Sequence, residues 1–368
     1  MKIKTALSTK ETVEEMASDI AGQLEFFDAE MVLFFASTKY EPEKVSKKMQ
    51  DTFPMSRVFG CTTAGEIGCG KMLDGSAVAM AFTGEAIKDA KIEVVEDPRD
   101  ETAIRAAFAS FESYFKVPMA EMDPSKYVGI ILVDGLSGAE EGLMETIGDM
   151  TNVTFIGGSA GDDLKFTTTH LFANGKTYSK GVILALLQPG VDFTFIKTQS
   201  FQSLDKTLEV TKADEEKREV IEFNGKPAAV AYAEAVGTTV EEAPKFFMHN
   251  PIGLVIEDEP YVRSPQQFKG NDMVFYCGVM EGMELSLLES TDIIGDTKQA
   301  IDQARQELGG LSALINFNCI LRTLELKQKD LTRQYGELFS GIQTIGFSTY
   351  GEQYIGHINQ TATMLAFK

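Results

Sequence analysis

The stretch "GCTTAGE", at residues 60–66, decides the fold because close variants of it return twice in the chain. "GFSTYGE" lies at residues 346–352, and a shorter version, "GGSAGDD", lies at residues 157–163. When the second glycine of each stretch is aligned, all three share a hydroxyl residue, any residue, a glycine and an acid. A pattern that recurs in this way indicates a chain built from repeated structural units.

The residues around each stretch repeat as well. Each stretch is preceded by an apolar run and a helix-like segment and is followed by a second apolar run. Apolar strands that alternate with helices are typical of α/β layers covered on both faces. We expect the strand after each turn to return antiparallel, which gives mixed sheets. The apolar runs are residues 31–37, 76–82, 127–133, 180–187, 313–319 and 361–367, and the helical segments are 41–50, 138–150 and 324–339.

The predicted fold class is therefore α/β, with layered mixed β-sheets flanked by helices and built from repeated strand–helix–strand–turn–strand units in two domains. A chain of 368 residues is long enough for two or three domains with a sizeable core. The segment "TKADEEKREV", at residues 211–220, is charged and poor in large apolar residues, which favours a domain boundary there. We predict domains at residues 1–195 and 225–368, joined by a connecting segment at 196–224.

The charge balance excludes one class of partner. The chain has 34 basic and 55 acidic residues, for a formal net charge of -21 at pH 7. A surface this negative repels the phosphates of nucleic acids and of anionic lipids. We therefore expect no nucleic acid partner.

The cysteines and the apolar runs indicate a cytoplasmic protein. The four cysteines form no Cys-x-x-Cys pair, and the first residues lack the uninterrupted apolar stretch of a secretory signal. Reduced thiols are the expected state of such cysteines. No apolar run approaches the roughly 18 residues that a membrane-spanning helix needs. We predict a cytoplasmic protein without membrane insertion.

Several motifs resemble those of the FIST family, a sensory module of signal-transduction proteins made of paired N- and C-terminal FIST domains. The resemblance covers nearly the whole chain. On the N-terminal side it rests on "VLFFAS", "GCTTAGEI", "FIGGSAGDDLKF" and "LFANG", and on the C-terminal side on "NGKPAAVAY", "HNPIGL", "YVRS", "NFNCILR" and "GFSTYGE". It implies an N-terminal FIST-like domain at 1–195 and a C-terminal one at 225–368. It also implies a sensor that binds an amino acid or a similar small metabolite.

The resemblance also bears on partners. Multidomain relatives carry a kinase or cyclase segment, and this sequence shows no such output segment. We therefore expect the signal to pass to a separate partner, such as a histidine kinase or a cyclase. No complete catalytic constellation accompanies the motifs, so we predict a binding protein that needs no cofactor.

The turns themselves suggest a binding site. Ligands of open α/β sheets sit off the strand ends, and a glycine with positive φ can turn backbone N–H groups outward there. Glu66 or Glu352 would receive an ammonium group, and Arg322 would grip a carboxylate through two hydrogen bonds. The alternative is that these residues only build tight turns with solvated acids, and this structural role is favoured for residues 157–163. The predicted ligand-binding residues are Thr62, Thr63, Glu66, Asn318, Arg322, Thr349, Tyr350 and Glu352.

Two further functions would use other residues. Some FIST-family members bind haem and sense nitric oxide, and His249 in "MHNPIG" would then be the axial ligand. A cysteine-dependent hydrolase or transferase would use Cys61, beside the first turn, or Cys319, close to Arg322. No base accompanies either cysteine, and no two histidines have the spacing of zinc ligands, so we predict no metal site.

Overall fold

The computed structural model describes residues 2–257 and 259–368. In chain order the strands are β1 (Ile3–Ser8), β2 (Met31–Ala36), β3 (Arg57–Thr62), β4 (Glu66–Gly68), β5 (Lys71–Leu73), β6 (Ala77–Phe82), β7 (Ile87–Val95), β8 (Val128–Val133), β9 (Phe155–Ser159), β10 (Leu171–Ala173), β11 (Lys176–Tyr178), β12 (Val182–Pro189), β13 (Phe193–Gln199), β14 (Phe201–Asp214), β15 (Glu219–Phe223), β16 (Lys226–Pro227), β17 (Ile252–Ile256), β18 (Glu259–Arg263), β19 (Pro265–Lys269), β20 (Asp272–Phe275), β21 (Glu284–Ser290), β22 (Ala313–Cys319), β23 (Gln343–Thr349), β24 (Glu352–Tyr354), β25 (His357–Ile358) and β26 (Thr361–Phe367). The helices are α1 (Val13–Gln23), α2 (Pro42–Thr52), α3 (Glu101–Phe115), α4 (Glu140–Met150), α5 (Ala228–Val236), α6 (Ile293–Leu308), α7 (Ile320–Gln328) and α8 (Thr332–Glu337), with short 3-10 helices at Met119–Glu121, Glu215–Lys217 and Ala243–Phe246.

These elements form two compact units. Unit 1 comprises the described part of Met1–Lys197 together with Lys298–His357 and Ala362–Lys368. Unit 2 comprises the described part of Thr198–Thr297 together with Ile358–Thr361. Unit 1 therefore combines residues from both of the domains that we predict from the sequence.

The segment predicted to connect the domains, residues 196–224, is folded into strands. It contains the end of β13 and all of β14 and β15. Along β14 the side chains of Leu208 and Val210 are buried, whereas Glu209 and Thr211 between and beyond them are exposed. One face of an antiparallel sheet can be solvated in this way, so a high charge content does not by itself indicate a linker.

Unit 1 contains three copies of one strand pattern, in agreement with the repeats seen in the sequence. We define repeat A as β2, α2, β3 and β6, repeat B as β8, α4, β9 and β12, and repeat C as β22, α7, α8, β23 and β26. In each repeat the first two strands are parallel and the last strand is antiparallel to the first. The prediction of mixed sheets is therefore confirmed, as are strands at all six apolar runs.

The strand that follows the turn of each repeat pairs with a strand of a different repeat. Strand β4 of the hairpin β4–β5 follows the turn of repeat A and pairs with β23 of repeat C. Strand β24 follows the turn of repeat C and pairs with β9 of repeat B. Strand β10 follows the turn of repeat B and pairs with β3 of repeat A. The exchange is a closed cycle, and it gives the sheet orders β1-β6-β2-β3-β10-β11, β25-β24-β9-β8-β12-β7 and β13-β26-β22-β23-β4-β5.

The three sheets share one hydrophobic core. Each repeat contributes the alternate side chains of its strands to this core, among them Phe35, Leu132 and Phe317. The rings of Phe35 and Phe317 lie 6.3 Å apart in an edge-to-face arrangement, although they belong to repeats A and C. Because each such buried side chain stabilises the fold by roughly 1.5–3 kcal/mol, this shared core holds the repeats together.

The opposite faces of the sheets lie under the helices, and they differ in chemistry. Repeat A places Phe34 in an apolar cluster with α1 and α2, and repeat B places Ile131 in an apolar cluster with α3 and α4. On the parallel neighbouring strand, Phe34 pairs with Gly60, Ile131 with Gly157 and Asn316 with Gly346, the first glycine of each repeated stretch. Asn316 of repeat C is therefore the equivalent of Phe34 and Ile131. Asn316 is fully buried. Repeat C therefore has a polar layer where the other repeats are apolar.

The helical segment of repeat C differs from the prediction. Residues 324–339 were expected to form one helix, but α7 ends at Gln328 and α8 begins at Thr332. Asp330, between them, has a φ of 55°, in the left-handed region that interrupts an α-helix. The break lets α8 turn back over the sheet, where Tyr335 is fully buried.

Unit 2 is built around an antiparallel sheet with the strand order β18-β17-β21-β14-β15-β20-β19. Helix α5 packs on this sheet through Tyr232, whose ring lies edge to face with Phe247 at 5.4 Å. The hydroxyl of Tyr232 donates to the carbonyl of Asn250 at 2.8 Å. The core of unit 2 is therefore separate from the three-repeat core and is made largely of apolar side chains.

Candidate functional site

The three turns meet in unit 1. Backbone hydrogen bonds join each turn to another: the first to the third, the third to the second, and the second to the first. These bonds run from Ser348 N to Gly65 O (2.8 Å), from Ser159 N to Gly351 O (2.8 Å) and from Gly161 N to Thr62 O (3.0 Å). The turns therefore form one junction, which is the direct result of the exchanged hairpins.

The second glycine of each turn serves a different purpose from the one predicted. Only Gly65 among the three has a positive φ, of 123°. A Cβ atom on Gly161 would lie 2.6 Å from the backbone nitrogen of Ala64, and one on Gly351 would overlap the ring of His357. At these two positions glycine is needed because the turns approach one another closely. The prediction of a left-handed turn in all three repeats is wrong for the second and third.

The acids that end the turns are buried, so the prediction of solvated acids at the turn tips is wrong. Glu66 and Glu352 are fully buried and Asp162 is 1% exposed. The Glu66 carboxylate accepts a hydrogen bond from Thr63 Oγ1, and also from the backbone N–H and the hydroxyl of Ser76 at 2.9 and 2.6 Å. The exchange of hairpins covers these acids, because another repeat lies over each turn.

Burial changes the protonation of Glu66. Desolvation raises the pKa of Glu66 to about 7, against the opposing effect of its hydrogen bonds from Ser76 and Thr63. The negative charge of Asp163 raises the pKa further. Glu66 therefore exchanges its proton near neutral pH inside the junction of the turns.

Glu352 occupies the equivalent position in repeat C. Its carboxylate accepts a hydrogen bond from Thr349 Oγ1 at 2.5 Å, as the carboxylate of Glu66 does from Thr63. The hydroxyl and the acid of the repeated pattern are therefore paired to one another in both turns. This pairing explains their spacing of three residues.

The acid of the second turn stabilises a loop. Asp162 accepts hydrogen bonds from the Tyr350 hydroxyl (2.5 Å) and from the backbone N–H groups of Phe166 (2.8 Å) and Thr167 (2.6 Å). Burial tends to raise the pKa of Asp162, but these hydrogen bonds outweigh it and lower the pKa overall. The ring of Phe166 stacks on that of Tyr350 at 4.8 Å. This geometry supports the structural role favoured for residues 157–163.

Replacing Tyr350 with phenylalanine is expected to lower the free energy of unfolding by about 1–3 kcal/mol. The hydroxyl also accepts from the N–H groups of Asp162 (3.2 Å) and Leu164 (2.9 Å), so its removal takes away three hydrogen bonds, one of them to the Asp162 carboxylate. Urea unfolding measures the change, and Tyr178→Phe removes a hydroxyl outside this network as a control. Equal stabilities of the two variants would contradict the assigned role of Tyr350.

A cluster of buried polar side chains lies between the sheet and the helices of repeat C. We call it the Arg322 cluster: it consists of Asn316, Asn318, Arg322, Thr323, Tyr335 and Ser348. Asn318 Oδ1 accepts from Arg322 Nε at 3.2 Å and from the Tyr335 hydroxyl at 2.9 Å, while its Nδ2 donates to Thr323 Oγ1 at 2.9 Å. The Thr323 and Ser348 hydroxyls are 2.7 Å apart. Ser348 therefore links the cluster to the first turn through its backbone.

The pKa of Tyr335 is affected by charges in and beside this cluster. Burial raises the pKa of Tyr335, and the hydrogen bond and positive charge of Arg322 counteract it. The charge of Glu352 also acts on Tyr335, in the direction that raises its pKa. The pKa of this buried phenol is therefore influenced by one cation and one anion.

Matches to known families cover most of the chain. The FIST N domain matches residues 30–226, and the FIST C domain matches residues 228–355. This chain belongs to the FIST family. FIST domains are associated with sensory signal transduction.

This FIST chain is also similar to an uncharacterised protein of Methanocaldococcus jannaschii. The two are 22% identical over 329 residues, which cover 84% of this chain and 63% of that protein. The FIST chain therefore spans less than two thirds of the length of this relative. In the part of the chain that the structure describes, no helix is both long and apolar enough to cross a bilayer.

The structure places all eight predicted binding residues of the FIST chain in unit 1, but in different surroundings. Asn318 and Arg322 belong to the Arg322 cluster, and Glu352 with Thr349 lies beside it. Glu66 and Thr63 form the separate pair of the first turn. Thr62 accepts from the N–H of His170 at 2.9 Å and so anchors β10, and Tyr350 holds the loop of the second turn.

Sequence reasoning missed four members of the cluster: Asn316, Thr323, Tyr335 and Ser348. The signal for Asn316 was present in the strand alternation of "ALINFNC", where asparagine stands at two helix-facing positions that are apolar in the other repeats. Tyr335 had no such signal, because its position depends on the break between α7 and α8.

The residues of the two alternative functions are not members of the Arg322 cluster. Cys61 is fully buried in the shared core, and this burial raises its pKa well above the ordinary value, which opposes thiolate formation. Cys319 is buried where β22 runs into α7. His249 lies in unit 2, where its backbone N–H donates to Phe246 O at 3.1 Å. Among residues 2–257 and 259–368 no group of three or more His, Cys, Asp or Glu forms a metal site, and haem binding at His249 stays a prediction.

Proposed function

We propose that this FIST chain is a cytoplasmic sensory protein that binds an amino acid or a similar small polar metabolite at the Arg322 cluster. The observation that supports the proposal is the polar layer of repeat C. Repeats A and B fill the equivalent space with apolar side chains such as Phe34 and Ile131, so the fold does not require polar groups there.

Burying such a cluster is costly. A guanidinium group loses its hydration when it is buried, and the interactions it makes inside the protein must offset that loss. Arg322 is 1% exposed. Proteins depart from the residues that favour stability mainly at functional sites. A polar layer at a position that is apolar in two related repeats is such a departure.

The chemistry of the cluster fits a ligand that carries both charges. The planar guanidinium of Arg322 suits a carboxylate, to which it can donate two parallel hydrogen bonds. The carboxylate of Glu352 suits an ammonium group. Arg322 and Glu352 both act electrostatically on Tyr335, Arg322 lowering its pKa and Glu352 raising it, so the buried phenol is influenced by one group of each sign. An α-amino acid has this pair of groups.

A ligand in the cluster would reach the other repeats through hydrogen bonds. Thr323 and Ser348 are 2.7 Å apart, and the backbone N–H of Ser348 donates to Gly65 O in the first turn at 2.8 Å. Because Tyr335 and Arg322 are buried, entry of the ligand requires a displacement of α8. Binding then favours one conformation only by its differential affinity for the two states. A separate partner, such as a histidine kinase or a cyclase, would read that conformation.

Thermal unfolding against a panel of amino acids tests the proposal, with Arg322→Met and Arg333→Met as a matched pair. Arg333 lies on α8 but is exposed, with a side-chain exposure of 88%, so its replacement removes one charge without altering the cluster. A ligand at one hundred times its Kd adds about 2.7 kcal/mol, which shifts the midpoint visibly. We expect Arg322→Met to weaken binding by about 10- to 100-fold and Arg333→Met to leave it unchanged.

Circular dichroism is to be used to check that each variant is folded, and Tyr335→Phe provides a second, milder change in the cluster. Equal affinities of the wild type and Arg322→Met would sink the proposal. So would a panel in which no amino acid shifts the midpoint.

A further inference from the structure

We infer that Asn316 makes the site select ligands that carry a second hydrogen-bond donor, an N–H or O–H group in addition to the α-ammonium group. This inference rests on the proposed function, because it concerns the same cluster. It is carried by the directions of the hydrogen bonds around Tyr335, which leave one buried acceptor in a fixed orientation.

The orientation of the Asn318 amide is set by its neighbours. The carbonyl of Cys319 can only accept a hydrogen bond, and it lies 3.3 Å from Asn318 Nδ2. Arg322 can only donate, and its Nε lies 3.2 Å from Asn318 Oδ1. Both contacts assign the same ends of the amide, so Asn318 Oδ1 is the acceptor of the cluster.

The direction of the hydrogen bond from the Tyr335 hydroxyl follows from this assignment. Its hydrogen is committed to Asn318 Oδ1, at 2.9 Å, since that oxygen has no hydrogen of its own to donate. The Tyr335 oxygen is then an acceptor for its other neighbours, and it lies 3.3 Å from Asn316 Nδ2. Asn316 must therefore present its NH₂ group to Tyr335, which turns its carbonyl oxygen Oδ1 the other way.

Asn316 Oδ1 is buried, and in the described part of the chain no group donates to it. A buried acceptor without a donor is destabilising, whereas an apolar side chain in the same place is not. Repeats A and B have Phe34 and Ile131 at this position, so the repeat tolerates an apolar residue. The orphaned oxygen is explained if the ligand supplies the donor.

The chemical class of the ligand is narrowed accordingly. An amino acid with a carboxamide or hydroxyl side chain would satisfy Asn316 Oδ1, while its α-carboxylate and α-ammonium groups engage Arg322 and Glu352. An amino acid with an apolar side chain of the same size would leave the oxygen buried without a partner. A site that hydrogen-bonds a ligand group discriminates strongly against the analogue that lacks it.

Isothermal titration calorimetry with paired amino acids tests the inference. The pairs are glutamine with methionine, asparagine with leucine, and serine with alanine. We expect the wild type to bind the donor-bearing member of at least one pair about 10- to 100-fold more tightly than the other. In Asn316→Leu this preference should fall by at least about tenfold, because the acceptor is gone. Phe34→Leu, at the equivalent position of repeat A, should leave the preference unchanged.

The outcomes separate this inference from the proposed function. If amino acids bind and Arg322→Met weakens them, but the preference is absent or survives in Asn316→Leu, then only the selectivity of Asn316 is wrong. If no member of any pair binds the wild type, both the proposed function and this inference are overturned. Should Asn316→Leu fail to fold, the preference of the wild type and its loss in Asn316→Ala decide the question.

Discussion

Replacing Gly157 with alanine is expected to destabilise the protein by about 4 kcal/mol or more, the largest effect of any single methyl group in the three repeats. Gly157 lies opposite Ile131 on the parallel neighbouring strand. A Cβ atom there would overlap the backbone carbonyl of Ile131 rather than a movable side chain. The strands β8 and β9 would have to separate, and the ladder between them would be lost.

The same constraint explains the first glycine of every repeated stretch. A Cβ atom on Gly60 would overlap the carbonyl of Phe34, and one on Gly346 that of Asn316. Urea unfolding of Gly157→Ala measures the loss. Gly142→Ala is the matched control, because this glycine lies in α4 and a Cβ atom there meets nothing within 4 Å. The control should gain about 0.5–1 kcal/mol from helix propensity, and a neutral Gly157→Ala would contradict the close approach.

Stability is expected to fall by about 3 kcal/mol between pH 4.5 and pH 7 through the ionisation of Glu66 alone. Its pKa is about 7 in the folded protein, above the ordinary value of 4.5, because burial disfavours the charged form. The folded state therefore binds the proton more tightly than the unfolded state. The contribution is fully present below pH 4.5 and is lost as the pH rises through 7.

Glu66→Gln isolates this contribution from other titrating groups. Glutamine keeps an acceptor for Ser76 and carries no charge, so we expect the variant to be more stable than the wild type by about 3 kcal/mol above pH 7. The difference should vanish near pH 4. Glu85→Gln, at an exposed glutamate, controls for the change in net charge. Parallel stability curves of wild type and Glu66→Gln from pH 4 to 8 would refute the shift.

The strands and the class of fold were predictable because their signal is local. Each apolar run, such as residues 313–319, is continuous and bounded by turn residues, and buried strands have this composition whatever they pair with. The family was predictable for a related reason. Three of its motifs lie at the turns, where the first glycine of each stretch is fixed by a close backbone contact.

The pairing of the hairpins was not predictable from the same signals. Nothing in the short strand β4 indicates that it pairs with β23 rather than with a neighbour in sequence, because the partner is chosen by the shared core. The compact units therefore differ from the predicted domains. For the same reason Glu66 and Glu352 were expected in solvent and are buried, since the residues that cover them come from distant parts of the chain.

The candidate site was predictable in part. Arg322 and Asn318 were found because they lie at the end of an apolar strand, where ligands of α/β sheets tend to bind, and Asn316 could have been found from the strand alternation. Tyr335 depends on the left-handed turn at Asp330, and an aspartate at one position of a helical pattern is a weak indication of a break.

The cyclic exchange of hairpins has a consequence for how the protein is made. The sheet of repeat B is incomplete until β24 has been synthesised, because β24 pairs with β9. The sheet of repeat A contains β10, which follows the turn of repeat B, and strand β4, which follows the turn of repeat A, pairs in the sheet of repeat C. No repeat is therefore a complete folding unit as it leaves the ribosome. Contacts between residues so far apart in sequence slow folding, because the entropy of closing a long loop is lost before the strands can form stabilising hydrogen bonds. We therefore expect unit 1 to assemble only after its last repeat has been translated.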